Sequence, residues 1–235
     1  MRVSARQLTT RRHRTTLTPP SLTVKLIDDL VGGLASAGPR WYSCPVGFTI
    51  RPLTPERWPA LEQLFGKAGA SNGCWCMYWR LGPRYHERQR ELNRQDRRQL
   101  AASAPASGLL AYDGDIAVGW AELAPRADLP WLNQTRFLRP VDDLPVWSVP
   151  CFYVRRTHRG LGVMGALIAG AVQAASAAGA PAVESYPVDT QMTGHTGNLF
   201  PGVASIFAAH GFEVIARRKP DRPVMRRSTG GRELR

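Results

Sequence analysis

The sequence has few cysteines and no long apolar run. Four cysteines in 235 residues are too few and too scattered for a disulfide framework, and zinc sites do not normally use the Cys74-x-Cys76 spacing. We therefore expect reduced thiols and no metal cofactor. No stretch of about 18 apolar residues could span a bilayer, and no signal peptide is recognisable. The sequence predicts a cytoplasmic protein without a membrane partner.

Acidic residues and lysines are also scarce. The chain has 18 Asp and Glu against 31 Lys and Arg, a formal net charge of +13, and its lysines are Lys25, Lys67 and Lys219. Residues 1–45 hold seven basic side chains against two acidic ones, and residues 216–235 hold eight against two. The charge is therefore concentrated at the two ends, and nucleic acid is not the expected partner. Binding of nucleic acid through these basic ends is kept as an alternative.

A stretch rich in proline and glycine, from Gly38 to Gly47, marks the start of the folded part. We predict a basic, disordered extension over residues 1–45, one domain over residues 46–227 and a flexible tail over residues 228–235. A transit-like leader is the alternative interpretation of the extension.

Residue patterns in the first half predict a strand, helices and a hairpin. A short strand near Phe48 precedes a helix that starts after Thr54, with Trp58, Leu61, Leu64 and Phe65 buried. Asp113-Gly114-Asp115 predicts a hairpin between two strands, because Asp-Gly accepts the backbone angles of such turns. Residues 84–103 are charged nearly all round, which is typical of a solvated helix.

The second half contains the most regular apolar stripe. Residues 145–154 predict a strand that Pro150 interrupts with a bulge or a splayed edge, and residues 161–178 predict a helix ended by Gly179. Shorter elements follow as far as Met225. The whole pattern indicates an α+β fold.

Between that strand and that helix lies a segment suited to an anion. Arg155 to Arg159 supply positive charge, and the glycines of Gly160-Leu161-Gly162 allow a tight turn in which backbone amides converge. The helix N-terminus adds a partial positive charge. This combination predicts a pyrophosphate site.

Residues Gly160 to Gly165 also match G-x-G-x-x-G, the dinucleotide-binding pattern, with Glu184 at a suitable distance for a ribose. In that pattern the first glycine directly follows the strand, whereas here five mostly basic residues intervene. A dinucleotide-binding protein is therefore retained only as an alternative.

The segment from Val154 to Ile168 resembles the acetyl-CoA motif of the GNAT superfamily of N-acetyltransferases. Val154, Arg159, Gly160, Gly162, Leu167 and Ile168 match the motif, while Met164 stands where glycine or alanine is usual. Ala208 to Val214 resembles the helix end with Gly-Phe that opens the family's penultimate strand. The resemblance covers residues 48–227, and it implies a mixed, mostly antiparallel sheet flanked by helices, with splayed strands at the cofactor site.

The resemblance implies an acyltransferase that moves an acetyl group from acetyl-CoA directly to an amine of a small-molecule or peptide acceptor. Phe152 and Val154 would pair with the pantetheine arm. The pyrophosphate would be bound by Arg159, Gly160, Leu161, Gly162, Val163, Met164 and Gly165. A homodimer is one option for the assembly, and a CoA-binding module without turnover is an alternative function.

The resemblance also directs the search for acid and base. Phe207 stands where many relatives have a tyrosine acid, so Tyr186 is the substitute, unless the thiolate leaves unaided. Glu122, near the end of a hairpin strand, is the first choice for the base. Other residues compete for these roles or for contacts with the acceptor: Glu184, Asp189, His195, Arg80 and His86.

Overall fold

The computed structural model describes residues 42–43, 47–103 and 107–230, which belong to one compact unit. Most of the predicted extension and the last five residues of the predicted tail lie outside the described residues. Tyr42–Ser43 forms a short strand that pairs with the strand after it. The sheet therefore begins inside the range predicted as an extension.

The described residues form eight strands and six helices. The strands are β1 (Tyr42–Ser43), β2 (Thr49–Pro52), β3 (Leu109–Asp113), β4 (Ile116–Pro125), β5 (Trp147–Val154), β6 (Ala182–Ser185), β7 (Glu213–Ala216) and β8 (Val224–Ser228). The helices are α1 (Trp58–Phe65), α2 (Tyr78–Leu81), α3 (Arg90–Ala101), α4 (Pro130–Gln134), α5 (Val163–Ala177) and α6 (Ala204–Ala209). Short 3₁₀ turns lie at Pro55–Arg57, Gly82–His86, Arg126–Asp128, Arg136–Leu138 and Arg156–His158.

The described strands form one eight-stranded sheet in the order β1-β2-β3-β4-β5-β6-β8-β7. Neighbouring strands are antiparallel except for β5 and β6, which are parallel. The mixed, mostly antiparallel α+β sheet that the sequence predicted is therefore confirmed.

Strand β5 shows the irregularity that Pro150 predicted. Its register against β4 shifts between Glu122 and Ala124, opposite Ser148 to Cys151, so β5 carries an extra residue there. The parallel pairing with β6 ends at Val149 and Ser185, while β5 continues to Val154. Beyond the bulge, β5 therefore has an edge that is not paired with β6.

Helices cover both faces of the sheet. On one face α5 buries the stripe Val163, Ala166, Leu167, Ile168, Ala171, Val172 and Ala175 against β2 to β6. On the other face α1 buries Trp58, Leu61, Leu64 and Phe65, as predicted from the sequence. Successive side chains of a strand point to opposite faces of the sheet, so those of β5 contribute to both apolar clusters.

Helix α3 is not the fully solvated helix that its charge predicted. Asn93 and Arg97 are both 0% exposed, whereas Leu92, one of the few apolar residues of this helix, is 40% exposed. The helix packs through a polar face because Arg97 and Asn93 donate hydrogen bonds to buried carbonyl oxygens. Among the residues that the structure covers, no helix is long and apolar enough to cross a membrane.

Candidate active site

The N-terminus of α5 presents backbone amides to a cavity. Gly160 and Gly162 have φ angles of 77° and 86°, a left-handed conformation that glycine adopts readily. The Ala166 amide donates to the Gly162 carbonyl at 3.1 Å. The amides of residues 163–165 precede this bond and have no acceptor within the helix. Together with the helix dipole, they favour an anion at this end of α5.

The cavity beside this helix end has a volume of about 1030 Å³. It brings together most of the side chains and backbone segments predicted to bind the cofactor, namely Phe152, Val154, Arg159, Gly160, Gly162, Val163, Met164 and Gly165. Leu161 is not in the lining, and its side chain is 54% exposed. Contacts of Leu161 with a ligand in the cavity would therefore involve its backbone.

The unpaired edge of β5 forms one wall. The Arg155 amide donates to Val118 of β4 at 2.9 Å, so the amides of Phe152 and Val154 point away from β4. The Phe152 amide donates to the Phe200 carbonyl at 2.7 Å. Phe200 belongs to the segment of residues 189–202 that precedes α6 and contributes to the cavity lining. The edge of β5 can therefore offer strand-like hydrogen bonds to an extended ligand.

The cavity reaches both faces of the sheet around this edge. Phe152 lies on the α5 face, where its ring is 5.9 Å from that of Phe207. Tyr153 lies on the α1 face, with its ring 5.5 Å from that of Phe65. Ala70 and Ser71, from the loop after α1, join Tyr153 in the lining. A molecule bound along β5 can thus be approached from the face opposite α5.

The charged side chains near the helix end are mainly basic. Arg159 is exposed, and its Nε donates to the Val154 carbonyl at 3.3 Å. His158 also lines the cavity, with Nε2 3.3 Å from an Asp113 carboxylate oxygen. The Arg159 guanidinium adds positive potential to the amides of α5, as a phosphate site requires.

The structure does not bring Glu122 to the cavity. Its side chain is 0% exposed, and Oε2 lies 2.5 Å from an Arg97 nitrogen, itself 0% exposed. Arg80 also contacts the Glu122 carboxylate at 3.4 Å, and Ser107 donates to it at 3.3 Å. A carboxylate that neutralises buried arginines and lies outside the lining is in no position to accept a proton from a bound amine.

Tyr186 is likewise outside the cavity. It is fully buried, and its hydroxyl contacts Ser148 at 2.8 Å and Glu184 at 3.0 Å, as well as Arg126. Burial, and secondarily the Glu184 carboxylate, raises the pKa of Tyr186 well above its usual value. Tyr186 therefore keeps its proton within a buried polar cluster instead of offering it to a leaving group in the cavity.

The competing candidates do not line the cavity either. Glu184 contacts Arg126 and Arg226 in the buried cluster, and Asp189 pairs with Arg217 at 2.9 Å. His195 is exposed, with Nδ1 3.0 Å from the Thr196 carbonyl oxygen. Arg80 points to Glu122 and Ser107. None of these residues, nor His86, is among those that line the cavity.

Several lining residues were not predicted from the sequence. They come from the loop after α1, from the segment before α6 and from the end of α6: Ala70, Ser71, Gly197, Asn198, Leu199, Phe200 and His210. The His210 ring lies against Gly165, where an added Cβ would be 2.9 Å from its Cε1. The sequence near these residues had one recognisable pattern, the Gly211-Phe212 pair after α6. The lining residues themselves follow no pattern, because they approach the cavity from distant parts of the chain.

The sequence that forms this site matches a known family. A model of the acetyltransferase (GNAT) family matches residues 74–194, which include β3 to β6, the cavity-facing end of α5 and the glycine turn. The chain belongs to the acetyltransferase (GNAT) family. No curated protein matches the sequence.

Solved structures of this family resemble the chain at low identity. A GCN5-related N-acetyltransferase from Kribbella flavida is 19% identical, with 79% of this chain and 99% of that chain covered and a TM-score of 0.48. The GNAT domain of S. lividans PAT is 17% identical over 81% and 96%, with a TM-score of 0.49. The PaiA N-acetyltransferase from Thermoplasma acidophilum in complex with coenzyme A is 14% identical over 77% and 98%, with a TM-score of 0.44.

The dinucleotide alternative does not fit the sheet of this GNAT family member. A dinucleotide fold needs a mostly parallel, doubly wound sheet, whereas the described strands have one parallel pair, β5 and β6. Glu184, its expected ribose ligand, is 1% exposed and paired with arginines. The glycine pattern at 160–165 therefore occurs here in a different structural context.

The close packing of α5 on β4 suggests a first prediction. A Cβ at Gly119 would lie 2.5 Å from Val163 Cγ1, so Gly119→Ala must shift the Val163 side chain or the backbone that carries it in the first turn of α5. We expect a loss of about 1–3 kcal/mol in the free energy of unfolding, the usual effect of overpacking, measured by urea denaturation. The control is Gly197→Ala, where an added Cβ meets nothing within 4 Å. Equal stability of the two variants would contradict the prediction.

Proposed function

We propose that this chain transfers an acetyl group from acetyl-CoA to an amine of a small-molecule or peptide acceptor by direct attack. The observation that carries the proposal is the position of the amides of residues 163–165 beside the unpaired edge of β5 in one cavity. Membership of an acetyltransferase family supports the choice of acetyl donor.

The pyrophosphate of acetyl-CoA would bind at the N-terminus of α5. Gly160 leaves room for it, since an added Cβ there would meet nothing within 4 Å. Arg159 would add a full positive charge. The pantetheine arm would extend along β5, where the amides of Phe152 and Val154 face the cavity. The Phe152 amide now donates to Phe200, so that contact would be exchanged for one with the arm.

The reaction would then take place near the middle of β5. A neutral amine forms a bond to the thioester carbon, the carbon–sulfur bond breaks, and the amine proton leaves through water. The departing thiolate needs little assistance, because a thiol with a pKa of about 8.5 is a good leaving group near neutral pH. Glu122 and Tyr186 have no part in this proposal, since neither lines the cavity. A backbone amide facing the cavity could polarise the thioester carbonyl.

Thermal unfolding with acetyl-CoA, CoA, NAD and NADP in parallel tests the cofactor. A ligand that binds only the folded state raises the unfolding temperature. At a concentration a hundred times its Kd, it adds about 2.7 kcal/mol to the free energy of unfolding. We expect a rise with acetyl-CoA and CoA and none with either nicotinamide cofactor. A rise with NAD or NADP alone would overturn the proposal.

The transfer itself is tested with a panel of primary amines: an α-amino acid, an arylethylamine, a polyamine and a lysine-containing peptide. Thiol release from acetyl-CoA and mass spectrometry of the amine report turnover. Acetylation of at least one amine is the expected result. Binding of acetyl-CoA without any acetylation or thiol release would favour the alternative of a CoA-binding module.

A further inference from the structure

The loop that joins α1 to α2, residues 66–77, has an unusual backbone. Ala70, Asn72, Trp75 and Cys76 have φ angles of 68°, 50°, 43° and 55°. Residues with a side chain seldom adopt this left-handed conformation, and it persists only where the surroundings hold it. Two residues of this 66–77 loop, Ala70 and Ser71, line the cavity. Whatever holds the loop therefore also shapes that wall.

Arg97 of α3 makes two of the contacts that hold it, beside the hydrogen bond from Asn93 to the Gly73 carbonyl. Its Nε donates to the Trp75 carbonyl at 3.0 Å, and one terminal nitrogen donates to the Cys76 carbonyl at 2.8 Å. The same guanidinium reaches Glu122 at 2.5 Å and Ser107 at 3.2 Å. A guanidinium presents five donors in a rigid plane, so it can satisfy two strained carbonyls and a carboxylate at once.

The contacts continue from Arg97 to the cavity. The Trp75 amide donates to the Gly69 carbonyl at 3.1 Å, so Arg97 and Gly69 hold the two backbone groups of the same residue. The Trp75 ring also covers Gly69, because an added Cβ there would lie 2.4 Å from Nε1. Ala70 and Ser71 follow Gly69 directly. A displacement of Trp75 would therefore be passed on to the wall.

We propose that Arg97, with Glu122 as its counter-ion, is a positioning residue for acetyl transfer. It fixes the 66–77 loop so that Ala70 and Ser71 form the wall against which the acceptor amine binds. Ala70 packs with the apolar cluster of Tyr153, on the sheet face opposite α5. The inference rests on the proposed function and adds the side from which the amine approaches.

Four variants separate this role from a purely structural one. Arg97→Met alone removes the fully buried partner of Glu122. Arg97→Lys keeps the charge next to Glu122 but cannot span both carbonyls. Arg97→Met combined with Glu122→Leu removes both members of the fully buried ion pair, so neither is left alone, while the carbonyls of Trp75 and Cys76 lose their donor. Arg80, which also contacts Glu122, keeps its hydrogen bond to the Asp128 carbonyl. Arg98→Met, at the exposed neighbouring position on α3, is the matched control.

The measurements are the Kd of acetyl-CoA by calorimetry, kcat and KM for the amine of the panel that the wild type acetylates fastest, and hydrogen exchange of the 66–77 loop. In Arg97→Lys and in the double variant we expect the loop amides to exchange about tenfold faster or more, with α5 unchanged. The amine KM should rise about tenfold or more, while kcat and the Kd of acetyl-CoA stay within about twofold. Arg98→Met should behave as the wild type.

A purely structural role predicts a different result. The amine KM would then change only with the stability of each variant. It would be raised in Arg97→Met alone and would return to the wild-type value in the double variant. That recovery, or loop exchange unchanged from the wild type, would overturn the proposal. Absence of acetyl-CoA binding by the wild type would instead contradict the proposed function, and it would be seen before any variant is compared.

Discussion

Replacing Glu122 by glutamine is expected to lower the free energy of unfolding by about 3–5 kcal/mol, because it leaves buried arginines without a counter-ion. Arg97 and Glu122 are both 0% exposed and 2.5 Å apart, and Arg80 contacts the same carboxylate. Glutamine keeps the shape of glutamate but carries no charge. Its amide NH₂ would also face the guanidinium donors, so one hydrogen bond becomes a repulsive contact. Urea denaturation monitored by circular dichroism measures the change.

The matched control is Glu91→Gln on α3, which makes the same chemical change at the surface. Glu91 is 52% exposed and pairs with Arg94 at 2.7 Å. An exposed ion pair of this kind contributes about 0–1 kcal/mol, so the control should unfold almost as the wild type does. A catalytic base in the role first expected for Glu122 predicts the opposite pattern, with unchanged stability and loss of the acidic limb of the pH–rate profile, where the rate rises as the base loses its proton. Wild-type stability of Glu122→Gln would contradict the ion-pair interpretation.

The contrast between Glu122 and Glu91 also shows what sequence patterns can indicate. Strand β4 was predicted from its hairpin turn, but its pattern does not reveal which side chains across the fold meet Glu122. Its partner Arg97 lies 25 residues earlier in a segment with almost no apolar stripe. Hydrophobic periodicity detects faces that bury apolar area. It cannot detect a face buried through hydrogen bonds from arginine and asparagine, as in α3.

The two parts of the candidate site, the start of α5 and the wall opposite it, also differ in how far the sequence indicates them. The residues of the candidate anion site could be picked out because strand, glycine turn and helix N-terminus follow one another within residues 152–165. The wall opposite α5 was not, because Ala70, Ser71 and Phe200 come from loops without regular spacing. Their approach to β5 depends on tertiary packing alone. Residues that are consecutive in the sequence can be recognised as one site, whereas the proposed acceptor side is formed by long-range contacts.

The largest expected effect on acetyl-CoA binding comes from Gly162→Ala at the start of α5. Gly162 has a φ angle of 86°, where an alanine costs about 1–2 kcal/mol. Relief of that strain would rotate the peptide groups that present the amides of residues 163–165 to the cavity. Loss of one hydrogen bond to a charged group costs about 1.5–3 kcal/mol, which corresponds to a Kd roughly ten- to a hundredfold weaker. Calorimetric titration with acetyl-CoA measures it.

Gly179→Ala, just beyond the C-terminal end of the same helix, provides the control that separates strain from binding. Gly179 has a φ angle of 76°, so the backbone cost of an alanine there is similar to that at Gly162. An added Cβ at Gly179 meets nothing within 4 Å, so it causes no clash. Its amide donates to Ser176 at 2.9 Å, at the helix end opposite the cavity. Both variants should therefore lose comparable stability, but only Gly162→Ala should bind acetyl-CoA more weakly. Equal affinities in the two variants would mean that the phosphates are not held by the amides at the start of α5, and the anion site would have to be sought elsewhere along the cavity.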